Sequence, residues 1–207
     1  MKLLSLPRLR ESLTYQGLSL GIVALVTSAM LVLANQATHH RIIEAEARDL
    51  AASLAQVLPT GTADNDLLKD ARAIHHGGTP VTVYVARRAG VATGAVFQMA
   101  ARGYAGDVVV LLGVDTQGRL FGTRVIKHQE TPGLGDKIEV AKSKWINGFA
   151  GKSLGEPAVE KWAVKKDGGD FDQFTGATIT PRAVVKAVKN GLEFFAAHRL
   201  EIFGEVP

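Results

Sequence analysis

Two stretches of this sequence gather chemistry-bearing side chains at spacings that packing alone does not require. The first is Asp170-Phe171-Asp172-Gln173-Phe174-Thr175-Gly176-Ala177-Thr178-Ile179-Thr180-Pro181, which leads into a strong helical pattern. Thr180 is placed to cap that helix and Pro181 to open it, because a Thr oxygen accepts an unpaired N–H and Pro has none to satisfy. A helix start also offers free N–H groups and a positive dipole end, an arrangement that holds an anion such as a phosphate. Capping needs one hydroxyl, whereas Thr175, Thr178 and Thr180 supply three, with Gly176-Ala177 leaving room beside them. The second stretch is His128-Gln129-Glu130-Thr131-Pro132-Gly133-Leu134-Gly135-Asp136-Lys137. Its glycines let backbone approach a ligand and leave N–H groups available, and its Pro fixes a turn. An ordinary polar loop has the same composition, so residue types alone leave both readings open.

Much other chemistry is excluded. The 207 residues contain no Cys, which removes disulfides, thiolate metal sites, iron–sulfur ligation and Cys nucleophiles. No Gly-Lys-Ser/Thr and no Gly-x-Gly-x-x-Gly after a strand occurs, so neither a P-loop nor a Rossmann site is supported. No Ser lies in a nucleophile elbow. His39-His40 and His75-His76 are adjacent pairs, which diverge on a helix and suit chelation poorly. Trp145 and Trp162 fit a core better than a redox role. The formal net charge is +4, but half of it sits in the first 16 residues as Lys2, Arg8 and Arg10 against Glu11. The rest is nearly neutral and shows no aromatic interleaving, which argues against a nucleic-acid partner.

The elements that position the two stretches follow from pattern. Residues 17–34 (GLSLGIVALVTSAMLVLA) are uncharged, and at ~1.5 Å per residue reach about 27 Å, close to a bilayer's hydrocarbon thickness. A cleaved signal peptide is the competing reading. Its apolar core is usually ~7–15 residues and ends at a small-residue site, whereas this run is longer and no clear A-x-A follows it. An uncleaved anchor is therefore expected, with the basic N-terminus in the cytoplasm and the remainder exported.

Beyond it, residues 40–58 set Ile43, Leu50, Leu54, Val57 and Leu58 at helical spacing, ended by Pro59 and Gly61. A short helix is expected from Asn65 to about His75, broken by Gly77-Gly78. Strands are expected at Val81–Ala86, Ala95–Ala101 and Val108–Val114, the last turning at Asp115-Thr116-Gln117-Gly118 into Leu120–Lys127. Lys142–Phe149 reads as helical, Trp162–Lys165 as a strand, and Pro181–Leu200 as a helix with Val184, Val185, Val188, Leu192 and Phe195 on one face. The fold class is α+β. One N-terminal transmembrane helix precedes a small mixed domain, partitioned as tail 1–16, anchor 17–35, helical connector 36–80 and domain 81–207.

Taken together, these residues resemble a known family. Asp172 followed by Thr175-Gly176-Ala177-Thr178-Ile179-Thr180 is similar to the Asp-x-x-Ser/Thr-Gly-Ala-Thr-x-Ser/Thr motif of covalent FMN-binding domains. The run HQETPGLG at His128–Gly135 resembles a second signature of the G subunits of Rnf (also called Rsx) electron transport complexes. The order of basic N-terminus, span, Gly-Tyr-x-Gly at Gly103–Gly106 and the two signatures matches as well. The related C subunit of the sodium-pumping NADH:quinone reductase shares the flavin motif but is generally longer.

The resemblance implies that Thr180 holds FMN through a phosphoester bond, and that Asp172, Gly176, Ala177 and Thr178 belong to the segment a flavin transferase recognises. It implies that Glu130, Thr131, Leu134 and Gly135 contact the flavin, that Thr175 and His128 are also cofactor-binding residues, and that Lys127, Lys165 or Lys166 stabilises its reduced form. It also implies a bacterial inner-membrane, single-pass subunit with a periplasmic domain. That subunit would relay electrons among the other membrane and peripheral subunits of a complex coupling ferredoxin and NAD redox chemistry to ion translocation. No catalytic or metal-ligating residue is implied, and the chain is an electron carrier rather than a stand-alone enzyme. A non-redox assembly subunit of the same complex, a component like the sodium pump's C subunit and a stand-alone periplasmic reductase are the alternatives at this point.

Overall fold

A computed structural model describes residues 13–204 of the chain. The charged residues assigned to the N-terminal tail, Lys2, Arg8, Arg10 and Glu11, lie outside the described residues. The chain divides between Asp49 and Leu50 into two compact units.

Helix α1 (Leu13–Gln56) is a single helix of 44 residues, so the apolar run and the helical pattern that follows it are continuous. It holds no Pro, and Pro59 just beyond its end cannot continue it. Its best 18-residue window has a mean hydropathy of 2.2, which makes it long and apolar enough to cross a membrane. Hydroxyls within the apolar stretch are satisfied locally: Thr27 donates to the Val23 carbonyl at 2.9 Å and Ser19 to that of Gln16 at 3.0 Å. Such back-bonding lets a hydroxyl sit in a nonpolar medium without an unpaired donor. His39 is exposed on this helix.

The second unit is built on a five-stranded antiparallel meander in sequence order: β1 (Ala71–His76), β2 (Thr79–Arg88), β3 (Val91–Arg102), β4 (Asp107–Asp115) and β5 (Leu120–Lys127). The first two links are two-residue turns. Gly77-Gly78 have φ of 57° and 82°, and Ala89-Gly90 have 50° and 79°. Two successive positive φ values give the tight primed turns whose twist matches antiparallel strands. The Gly pair thus closes a hairpin instead of ending the expected helix, and residues 71–76 are a strand. Asn65 secures the preceding loop to β2, its Oδ1 accepting from the Arg87 N–H at 2.8 Å and its Nδ2 donating to the Val85 carbonyl at 2.9 Å. The four strands expected between Val81 and Lys127 are present, each of the first three longer than the pattern indicated.

Helix α2 (Ile179–Phe203) lies on one face of this sheet. Val83, Val85, Ala95, Phe97, Val108, Val110, Leu112 and Val114 point at its Val184, Val185, Val188, Leu192, Phe194 and Phe195, forming the main core. Alternate residues Tyr84, Val96 and Leu111 face the other way, onto Leu54 and Val57, as the two-residue period of a strand requires. Gly113 admits the chain there, since a Cβ at that position would lie 2.5 Å from the Val57 carbonyl oxygen.

Between β5 and α2 the chain forms four short 3-10 turns, at Asp136–Ile138, Trp145–Phe149, Val159–Lys161 and Lys165–Asp167. The expected helix over Lys142–Phe149 is reduced to the second of these. The expected strand at Trp162–Lys165 is a single parallel bridge between Val164 and Phe171. Trp162 and Val164 are buried in strand-like alternation, but without a neighbouring strand that alternation serves an aromatic cluster. Phe149 stacks on Phe171 with centroids 4.7 Å apart, Trp162 lies 5.0 Å from Phe171, and Trp145 sits edge-on to Phe174 at 5.1 Å. This cluster fixes the segment that enters α2.

Candidate functional site in the cleft between two loops and a helix start

The two chemistry-bearing stretches meet. A cleft of about 300 Å³ is lined on one side by Glu130, Thr131, Leu134 and Gly135 and on the other by Gly176, Ala177, Thr178 and Thr180. Tyr104, from the turn between β3 and β4, and Ile179 complete it. That volume is at the lower end of the ~300–1,000 Å³ typical of small-molecule sites, and the cleft is open to solvent.

Thr180 lies at the cleft's buried base, 1% exposed. It is not the cap of α2: Thr178 takes that place without a side-chain hydrogen bond, and Thr180 is the second residue of the helix. The Thr180 hydroxyl instead donates to Glu130 Oε2, and a carboxylate binds a hydroxyl more firmly than a neutral partner does. The N–H groups of Ile179 and Thr180 fall in the first turn, where no helix carbonyl reaches them.

Glu130 is 5% exposed. Its Oε1 accepts from the N–H groups of Tyr104 at 2.9 Å and Ala105 at 3.2 Å, so the Gly103–Gly106 turn cradles one carboxylate oxygen. The backbone N–H of Glu130 donates to His128 Nδ1 at 3.2 Å, and His128 Nε2 faces Glu139 Oε1 at 3.0 Å. An accepting Nδ1 places the ring proton on Nε2, where it is donated to Glu139. His128 is thus a strut behind the loop and does not line the cleft.

Thr131 closes the other end of the loop, its carbonyl accepting from Leu134 and Gly135, while Gly133 takes a φ of 80° that a side chain would strain. Asp136 then holds the turn. The Gly133 N–H, and after it Lys142 with Nζ at 3.7 Å, keep its carboxyl below the ordinary Asp range.

The rim has a different chemistry. Tyr104, Leu134 and Ile179 are large apolar side chains left 69%, 46% and 45% exposed around this opening. A polar, buried base beneath an apolar, solvent-facing rim suits an amphiphilic ligand with a phosphate at one end and a flat ring at the other. FMN has that construction, and the residues present fit it.

Three of the expected positions stand apart from the cleft. Thr175 is exposed beside it. Asp172 is exposed, its carbonyl accepting from Trp145 Nε1 at 2.9 Å and its Oδ1 pairing with Lys165 Nζ at 2.7 Å. His128 supports from behind, as described. Asp172 in turn holds the Lys165 ammonium above its ordinary value, first through their hydrogen bond and then through its charge. Lys127, Lys165 and Lys166 are not among the lining residues. Ile179 fills the variable position of its motif and carries no signal. Tyr104 had one signal, its place inside Gly-Tyr-x-Gly, and the nest it forms depends on a carboxylate 26 residues away.

The chain is similar to known proteins along most of its length. Residues 103–193 match the model of the FMN-binding domain, and residues 1–57 that of the RnfG N-terminal region. The G subunit of the ion-translocating oxidoreductase complex of Stutzerimonas stutzeri is 52% identical over 188 residues, covering 90% of this chain and 82% of that protein. Its counterpart in Cereibacter sphaeroides is 48% identical over 199 residues, covering 96% and 91%. Among solved structures, the C subunit of the Na(+)-translocating NADH-quinone reductase from Parabacteroides distasonis aligns with a TM-score of 0.45 at 24% identity, over 65% of this chain and 68% of that one. NqrC of Shewanella oneidensis aligns at 0.48 and 22%, over 69% and 72%. With about half of its residues shared along nine-tenths or more of its length, and with an FMN-binding domain over residues 103–193, the chain belongs to the family of G subunits of ion-translocating oxidoreductase complexes.

Proposed function

We propose that this chain is a membrane-anchored flavoprotein subunit that relays electrons through FMN esterified by its phosphate to Thr180 Oγ1. The complex it serves would couple ferredoxin and NAD redox chemistry to ion translocation. The observation that carries this reading is a hydroxyl at the buried base of a cleft, on the first turn of a 25-residue helix, beneath an apolar rim.

Each residue then has a task. Thr180 supplies the ester oxygen, and the first-turn N–H groups of Ile179 and Thr180 with the helix dipole favour the phosphate. Tyr104, Leu134 and Ile179 would hold the ring system, and Gly176, whose φ is 82°, keeps the wall low. FMN when bound supplies the one- and two-electron chemistry. Covalent attachment suits a carrier working where a lost flavin could not be recovered. Asp172 and the Thr175–Thr178 segment, exposed or half-buried, remain within reach of a flavin transferase.

The anchor at 17–35 would carry the second unit, with its FMN-binding domain, on the periplasmic side of the bacterial inner membrane. The order of charge supports that orientation, with Lys2, Arg8 and Arg10 before the apolar run. The other membrane and peripheral subunits of the complex would be the electron partners.

Intact-mass analysis of the full chain, expressed with its transferase, tests the attachment. One covalent FMN is expected, absent in Thr180→Ala and retained in Thr178→Ala. Flavin surviving on Thr180→Ala would overturn the assignment.

A further inference from the structure

Glu130 is more than a ligand contact. It is buried, makes no ion pair among the described residues, and its charge is met only by two backbone N–H groups and one hydroxyl. The nest takes Oε1, which leaves Oε2 aimed at the proton of Thr180 Oγ1.

Two glycines, 32 positions apart, are explained by this pairing. A Cβ on Gly103 would lie 2.5 Å from Glu130 Oε1, and one on Gly135 would lie 2.8 Å from Glu130 Cβ and 2.9 Å from Thr180 Oγ1. Neither has a positive φ, so conformational freedom is not their reason. They clear the space in which carboxylate and hydroxyl meet.

Resting on the attachment reading above, we infer that Glu130 is the general base of flavin attachment, taking the Thr180 hydroxyl proton as the phosphoester forms. The Thr180 Oγ1–P bond forms while the bond between phosphorus and its leaving group breaks. The leaving group departs with that electron pair, and the Oγ1 proton passes to Glu130 Oε2. No atom changes oxidation state. Free FMN would have to expel hydroxide from its phosphate, so the donor is a flavin nucleotide with a good leaving group there. A flavin dinucleotide, releasing a nucleoside monophosphate, is that class. The transferred proton also leaves the carboxyl neutral beside the new phosphodiester anion, which removes the repulsion two adjacent anions would impose.

The test is covalent flavin incorporation into the full chain in detergent, with purified transferase and flavin dinucleotide, followed by in-gel flavin fluorescence and intact mass. Glu130→Gln keeps size and the nest's hydrogen bonds but removes the base. Its maximal rate of incorporation should fall about 10²–10⁴-fold, the usual contribution of a general base, with the half-saturating concentration of chain unchanged. Loading of Glu130→Gln at the unsubstituted rate would overturn the inference while leaving the attachment reading intact. If Glu130→Gln fails to fold, Gly135→Ala decides, since it keeps the base but wedges a methyl between it and the hydroxyl. Slowed loading of a folded Gly135→Ala supports the inference and full-rate loading overturns it. No covalent flavin on the unsubstituted chain would remove the attachment reading itself, and this inference with it.

Discussion

Thr180→Val isolates the Glu130–Thr180 hydrogen bond, because it removes one hydroxyl while keeping the β-branched shape. No cavity opens, and Val and Thr have similar helix propensities, so the hydrogen bond dominates the change. Both partners are buried, at 1% and 5% exposure. After the substitution Oε1 keeps the Tyr104 and Ala105 N–H groups, but Oε2 loses its donor. A hydrogen bond to a charged group contributes about 1.5–3 kcal/mol, so flavin-free Thr180→Val should be destabilised by that amount. For domains of roughly 150–250 residues that lowers Tm by about 3–12 °C, at ~2–4 °C per kcal/mol. The double variant Thr180→Val, Glu130→Gln should cost less than the sum of the singles, with a coupling of about 1–3 kcal/mol, because no carboxylate is then left short of a donor. Thermal melts of the four full-length proteins in detergent, expressed without transferase, give the cycle. Additive singles, or a Thr180→Val protein melting within about 1 °C of the unsubstituted chain, would refute the energetic reasoning.

Two further substitutions probe what supports the cleft. Asp136 has a depressed folded pKa, so its stabilising contribution is present above the unfolded value of about 3.9 and is lost as pH falls through and below it. Asp136→Asn should therefore lower Tm at pH 7, and the gap should narrow below about pH 4; a gap constant between pH 7 and pH 3 would show that the Gly133 and Lys142 contacts do not act through charge. Trp145→Phe keeps an aromatic ring against Phe149 and Phe174 but loses the 2.9 Å donation to the Asp172 carbonyl. A loss of about 0.5–1.5 kcal/mol is expected, with faster amide exchange across residues 172–175, and unchanged exchange would show that Trp145 does not hold the segment entering α2.

Several elements are legible in the sequence because their determinants are local. The continuous Val- and Leu-rich run of Val108–Val114, the Asp115 turn and the return over Leu120–Lys127 need no knowledge of neighbours. The five apolar residues of α2 share a face by their spacing alone and are buried as a set. Other elements mislead for equally physical reasons. The run from Asn65 to His75 contains good helix formers, yet its end pairs with β2 and Asn65 bonds to β2 backbone, so tertiary pairing overrides propensity. Gly77-Gly78 is a hairpin signal, visible as such only once a strand stands on both sides of it.

The site divides the same way. Its two loops announce themselves through clustered Gly, Thr and Glu, and residue types alone mark which side chains could bear chemistry and that one apolar run precedes them. What these side chains do to one another follows from the fold. Thr180 has the sequence context of a helix cap, yet its hydroxyl donates a hydrogen bond to a carboxylate 50 residues away, a partner that no local pattern announces. Tyr104 and Ile179 become rim residues, and Gly103 and Gly135 acquire their reason, through the same long-range approach. Hydrophobic period and turn chemistry are written into neighbouring residues, whereas a hydrogen bond between distant loops exists only after the sheet and α2 have brought them within reach.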